Sequence, residues 1–360
     1  MPSKFCLNLA GVTAGPCADC SSSDAVVQEQ YMGIYLAAVY MVFGFAGLIW
    51  SADRFVLGAS TTARNLGVSP LIIGLTIVAF GTSAPEIFTS ATASLQGSPT
   101  IAVGNAIGSN IANLGIVLAV TVLIHPVEIP LSLMKKELPA LLLVSFICFI
   151  VFADLTLNYF DGLLLLFLVT VFAWRIIKNL NLLDKDEDSL EGKINDSNEI
   201  SDEDITEMSK PKALAFLLFG LALLIISANI LVEGARNVAM ALGVSELIIG
   251  LTVMAIGTSL PELATSLTSA FKGHYDLVLG NIIGSNIMNI LLVLPVPALL
   301  SPFVIEPQVL TRDYATMMLI TLGTAYFLYM RSRKKQRIGR LGGTVLLTIY
   351  IAYTGLLIIS

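Results

Sequence analysis

The chain has 360 residues, of which 56% are apolar and only 13% charged, against roughly 25% charged in an ordinary soluble domain. That balance excludes a soluble globular protein, and the lack of a basic stripe interleaved with aromatics excludes a nucleic-acid partner. The net charge of −6 is local in origin: eleven acids fall between Asp184 and Glu207, and the rest of the chain is slightly basic.

In chain order, residues 1–30 read as an N-terminal tail, a poor signal peptide with one lysine and an interrupted apolar patch. Cys17 and Cys20 form a C-x-x-C there without a βαβ context, which favours a stray tail motif over a redox or metal role. Cys148, by contrast, sits in an apolar run as core filling. Apolar segments follow at 31–50, 68–95, 100–124, 133–153 and 157–178, then at 213–233, 243–271, 276–300, 310–330 and 341–359. Each is near the ~20 residues that cross the hydrocarbon as a helix. Long unalternated runs suit helices rather than barrel strands, because backbone groups in lipid must be bonded internally. The expected fold is therefore an all-α polytopic membrane protein of ten transmembrane helices. The expected parts are a five-helix half at 31–178, a linker at 179–212 and a second half at 213–360.

With the N-terminus outside, 17 of the 20 lysines and arginines fall on the cytoplasmic side, leaving Lys4, Arg236 and Arg312 outside. This positive-inside bias puts both termini outside and the linker in the cytoplasm. The linker is acidic and rich in Ser and Asn, the composition of a solvated, disordered loop. It contains no calcium-binding D-x-[DN]-x-[DN]-G loop; Ser189 stands where one starting at Asp184 would need glycine.

An internal repeat dominates the pattern. Set against each other at an offset of 176, residues 67–118 and 243–294 align without a gap, and 29 of 52 positions are identical. Two similar halves with five spans each must enter the bilayer in opposite orientations. That is the inverted-repeat plan of secondary transporters, whose substrate site lies at the midplane where the repeats meet.

Within the repeat, G-T-S-x-P-E carries Glu86 and Glu262 deep inside apolar spans. A carboxylate there costs several kcal/mol unless it is paired, protonated or metal-bound. A single one could be a snorkelling or packing device, but two at equivalent places point to a site. Pro85 and Pro261 should kink or break their helices and free carbonyls around Ala79–Ser83 and Ala255–Ser259 as cation ligands. The partner motif, G-N-x-I-G-S-N-I-x-N, puts Ser109 and Asn113 on one helix face, and likewise Ser285 and Asn289. Gly104 with Gly108, and Gly280 with Gly284, should permit close helix approach. Adding the hydroxyls of Thr82, Ser83, Thr258 and Ser259 gives an all-oxygen donor set, with no Cys or His in the repeated helices. Such a set selects hard cations: Ca²⁺ takes six to eight oxygens in irregular geometry, and two carboxylates neutralise one Ca²⁺. The same oxygens could hold several Na⁺ ions.

No phosphate-binding G-x-x-x-x-G-K-[ST] and no nucleophile–base–orienter set is visible, so the chain reads as a carrier that needs no cofactor, not as an enzyme. Its expected partners are Ca²⁺, Na⁺ and membrane lipid.

On GTSAPE with GNAIGSNIAN, and GTSLPE with GNIIGSNIMN, the chain resembles the sodium/calcium exchanger branch of the cation/Ca²⁺ antiporter superfamily, in its bacterial or archaeal form. The resemblance implies alternating access in the cell membrane. It places Ca²⁺ between Glu86 and Glu262 with the carbonyls of Thr82 and Thr258. It assigns Na⁺ to groups matching Ser83, Ser109, Ser259, Ser285, Asn113, Ala79 and Ala255. It also has the first span of each half slide over a fixed core. Asn289 stands where potassium-dependent relatives carry aspartate, which weakens the case for K⁺ co-transport. Two readings stay open beside it: a Ca²⁺/H⁺ (or other divalent cation) exchanger using the same acids, and a cation channel.

Overall fold

The computed structural model describes residues 19–183, 208–243, 255–334 and 336–359. The acidic linker, Cys6, Cys17, the side chain of Cys20 and the opening of the span expected at 243–271 lie outside the described residues. The described chain is helical throughout, save for a two-residue antiparallel pair, β1 (Thr156–Leu157) with β2 (Phe303–Val304), and one bridge between Val127 and Ile338.

The helices are α1 (Asp19–Asn65), α2 (Pro70–Leu95), α3 (Pro99–Ile124), α4 (Leu138–Phe152), α5 (Tyr159–Leu183) and α6 (Lys210–Ala241). Then come α7 (Ala255–Thr258 and Leu260–Phe271), α8 (Tyr275–Leu300), α9 (Ala315–Arg333) and α10 (Arg340–Ile359). Seven of the described helices are long and apolar enough to cross a membrane. α1 departs from expectation at both ends: it begins at Asp19, inside the stretch read as a tail, and continues past 50 to Asn65. No proline interrupts it, and Asp53 and Arg54, which follow the apolar run, have partners within the fold.

The 176-residue offset recurs in the backbone. Ala84–Leu95 of α2 matches Leu260–Phe271 of α7, and Pro99–Ala112 of α3 matches Tyr275–Met288 of α8. π-helical turns begin at Asn113 and Asn289, and again at Leu133 and Val309. The turns at Gly67 and Gly243, and at Gly97 and Gly273, all use positive φ, from 65° to 78°, a region open to glycine at little cost.

α8 lies at the centre, with 94% of its apolar window buried, against 22% for α5 and 28% for α1, α6 and α10. α1 and α6 form an antiparallel pair whose backbones nearly touch. A methyl added at Gly44 would lie 2.6 Å from the Leu231 nitrogen, and one at Gly220 2.6 Å from the Phe55 nitrogen. In lipid the hydrophobic effect does not drive helices together, so close packing at small residues must hold this pair. Gly280 and Gly284 likewise seat α8 against Leu71, Leu75 and Ala79 of α2. Gly104 and Gly108 meet nothing within 4 Å among the described residues; the counterpart of that α2 surface, 247–255, lies almost wholly outside them.

Candidate functional site

Both proline-bearing helices break where the sequence predicts. α2 leaves helical geometry at Ser83 (φ −82°, ψ 3°) and α7 at Ser259 (φ −89°, ψ 4°). Proline two residues on cannot donate to the preceding turn. The breaks are not bonded alike: the Ser83 amide donates to the Ala79 carbonyl at 3.0 Å, whereas the Ser259 amide donates to Ile256 at 3.1 Å. The Thr82 hydroxyl is a further contact of the Ala79 carbonyl, at 3.4 Å. Ala255 lies in the described part of the first arm of α7.

Each break puts a glutamate in the first turn of the helix that follows, where the N-terminal end of the helix dipole favours negative charge. Glu86 and Glu262 are both 1% exposed. Glu262 Oε1 accepts from the hydroxyls of Ser83 and Ser285, each at 3.4 Å, and Thr82 also reaches it. Thr82 further donates to Asn281 Oδ1 at 3.1 Å. The Thr258 hydroxyl donates to Glu86. Hydroxyls of Thr82, Ser83 and Thr258 thus reach the carboxylate of the opposite repeat, and that of Ser285 the carboxylate of its own.

The structure therefore joins Glu86, Glu262, Thr82, Ser83, Thr258 and Ser285 in one group. Asn113 is buried one step away and donates to Asn286 Oδ1 at 3.1 Å across α3 and α8. Ser109, Ser259 and Asn289 are buried, and the two asparagines, Asn113 and Asn289, open the π-helical turns, a distortion common at functional sites.

Five buried oxygens of this set have no hydrogen-bond partner among the described residues: Glu86 Oε2, Glu262 Oε2, Asn113 Oδ1, Asn289 Oδ1 and Ser259 Oγ. Unmatched buried polar atoms cost 1–3 kcal/mol each, more when charged. A hard cation meets that demand with the oxygen chemistry present.

Four further residues belong to the framework. Asn105 Nδ2 donates to the Glu86 carbonyl at 3.1 Å and to Ser90 Oγ at 3.2 Å. Asn281 Nδ2 does the same to the Glu262 carbonyl at 3.4 Å and to Ser266 Oγ at 3.1 Å. These amides clamp the turn that presents each carboxylate. The signal was available in the first asparagine of each G-N-x-I-G-S-N, which sequence reasoning passed over for the serine and the last asparagine.

The sequence pattern of sodium/calcium exchanger proteins matches residues 36–178 and 212–359. This chain belongs to that family. It is 44% identical over 335 residues to the putative antiporter CaxA of Alkalimonas amylolytica, covering 90% of this chain and 99% of that one. It is 31% identical to the sodium/calcium exchanger MaX1 of Methanosarcina acetivorans, covering 87% and 96%. Among solved structures it is similar to the sodium-calcium exchanger NCX_Mj, with a TM-score of 0.74 at 34% identity over 89% of this chain and 98% of that one. The exchanger is an integral, multi-pass membrane protein, and its class is that of a cation/Ca²⁺ antiporter.

Proposed function

We propose that this exchanger moves Ca²⁺ against Na⁺ by alternating access, at a site between Glu86 and Glu262. The observation that carries the reading is the pair of buried carboxylates, each with an oxygen unmatched among the described residues, inside a shell of hydroxyls and amides. Glu86 and Glu262 take the divalent ion with the carbonyls of Thr82 and Thr258. Ser83, Ser109, Ser259, Ser285, Asn113 and the carbonyls of Ala79 and Ala255 serve Na⁺, and Asn289 contributes an amide oxygen in place of a charge. All are side-chain or backbone oxygens of this chain, so no resident cofactor is required.

The membrane plan is ten spans in two inverted five-helix repeats. The α1–α6 pairing supports it: the contact of Gly44 with Leu231 has its 176-residue counterpart in Gly220 with Phe55, between helices that run antiparallel. Loop contacts support the sidedness. Glu128 pairs with Arg337 and Arg175 reaches the Lys136 carbonyl on the side read as cytoplasmic, while β1 meets β2 on the side read as external. Both termini are outside, the linker is cytoplasmic and the host is the cell membrane.

The test is ⁴⁵Ca²⁺ uptake into proteoliposomes loaded with Na⁺ or with choline, wild type against Glu86→Gln. Uptake that needs internal Na⁺ and disappears in the variant supports the exchange. The burial of both glutamates, with no salt-bridge partner for either among the described residues, favours one second reading, in which they carry a proton. Uptake driven equally by a pH gradient would select that reading.

A further inference from the structure

The two ends of the site are closed differently, although the repeat makes them equivalent by sequence. α1 lies along α7, where Leu260 and Ala264 pack against the cluster of Leu48, Ala52, Phe55 and Val56. At the end of α7, Lys272 Nζ meets Asp53 Oδ1 of α1 at 2.6 Å. Arg54 is the nearest competitor, 4.0 Å from Asp53, but its guanidinium lies over Trp50 and Phe216 within the α1–α6 pair. The equivalent closure would lay α6 along the second arm of α2. Among the described residues those two helices scarcely touch.

The sequence explains why this second closure cannot copy the first. Asp53 and Lys272 correspond, at the 176-residue offset, to Asn229 and Gln96, an uncharged pair that is exposed on both sides. Ala264 corresponds to Phe88, which is 77% exposed. One end therefore has an ion pair over a small residue, and the other has two amides over a bulky one.

We infer that Asp53 and Lys272 are positioning residues of the exchange cycle, whose ion pair holds α1 against α7 and biases the resting carrier toward the conformation shut at that end. The inference rests on the alternating-access reading above. Opening that end requires α1 to leave α7 and separates the charges; shutting the other end gains no ion pair in return. Lys272 lies on the side read as cytoplasmic, so the resting site faces outward. An apparent affinity is weakened by the fraction of carrier not facing the ligand, so the bias appears as a stronger apparent Ca²⁺ affinity outside than inside.

The measurement is the apparent KM for Ca²⁺ at each face, during Na⁺-dependent exchange in vesicles of defined orientation. Asp53→Asn and Lys272→Gln should each lower the cytoplasmic KM and raise the external one, shifting their ratio about two- to five-fold, the range of an exposed ion pair. The charge reversal Asp53→Lys with Lys272→Asp should restore the ratio. Installing a pair at the other end, Asn229→Asp with Gln96→Lys, should shift the ratio as the neutral variants do. A ratio unmoved by either neutral variant while exchange persists overturns the inference. So does a loss of flux that the charge reversal fails to repair. Absence of any Na⁺-dependent flux in the wild type would instead remove the exchange reading beneath it.

Discussion

Glu86 and Glu262 are one residue twice over by sequence, yet the fold holds them differently. Glu262 collects hydroxyls from Thr82, Ser83 and Ser285, whereas Glu86 has Thr258 as its hydroxyl partner. The counterparts that would complete the second shell exist: Ser259 matches Ser83, and Ser109 matches Ser285. Ser259 Oγ is nevertheless buried without a partner among the described residues. The tighter shell lies on α7, which α1 covers; the looser one lies on α2, whose second arm α6 leaves uncovered. Identical donors thus sit in unequal surroundings, with α1 packed against one and α6 standing off the other.

The hardest test of that comparison removes each charge in turn. Glu86→Gln and Glu262→Gln should both reduce Na⁺-dependent Ca²⁺ uptake by at least about a hundred-fold, since losing one partner of a buried charged cluster costs about 3 kcal/mol or more. Equal losses are expected because both acids must face the divalent ion whichever end is open. Uptake surviving in one variant would show that a single carboxylate suffices. A finer test uses the serines. A hydrogen bond to a charged group contributes about 1.5–3 kcal/mol, so Ser83→Ala should weaken Ca²⁺ affinity roughly ten-fold or more. Ser259→Ala, which removes a hydroxyl with no partner among the described residues, should change Ca²⁺ affinity less and Na⁺ dependence more. Affinities from equilibrium ⁴⁵Ca²⁺ binding at several Na⁺ concentrations separate the two; equal changes would erase the asymmetry.

Much of this was legible in the sequence, and the parts that were not have a common cause. The breaks at Ser83 and Ser259 follow from proline chemistry, and the candidate acids follow from the cost of burying charge in lipid. The internal repeat announced two matched helix sets, and the observed element boundaries repeat at the same offset. Asn105 and Asn281 were in view but unread, because their work is to brace a backbone turn, which spacing alone does not reveal. The apolar run ends at residue 50, whereas α1 continues to Asn65. Only the fold shows that Lys272 lies beside Asp53, 219 positions away in the chain. Likewise, a repeat read from sequence predicts two equal ends, and only the placement of α1 against α7 distinguishes them.

The smallest effect is expected where the molecule is most nearly symmetric. Gly44 and Gly220 are counterparts at the same offset, and a methyl at either would sit 2.6 Å from a backbone nitrogen of the opposing helix. Backbone cannot rotate away as a flexible side chain can, so Gly44→Ala and Gly220→Ala must each push α1 and α6 apart. Overpacking of this kind costs about 1–3 kcal/mol, offset in part by the better helix propensity of alanine, about 1 kcal/mol. Thermal unfolding in detergent should show both variants destabilised by the same amount, with no difference between them beyond error. Equal shifts would place the asymmetry of the carrier in its contacts with the core, at Asp53, Lys272 and the serines, and leave the α1–α6 seam as a unit that moves whole. Unequal shifts would mean that the seam itself opens more at one end, and that part of the bias resides between α1 and α6.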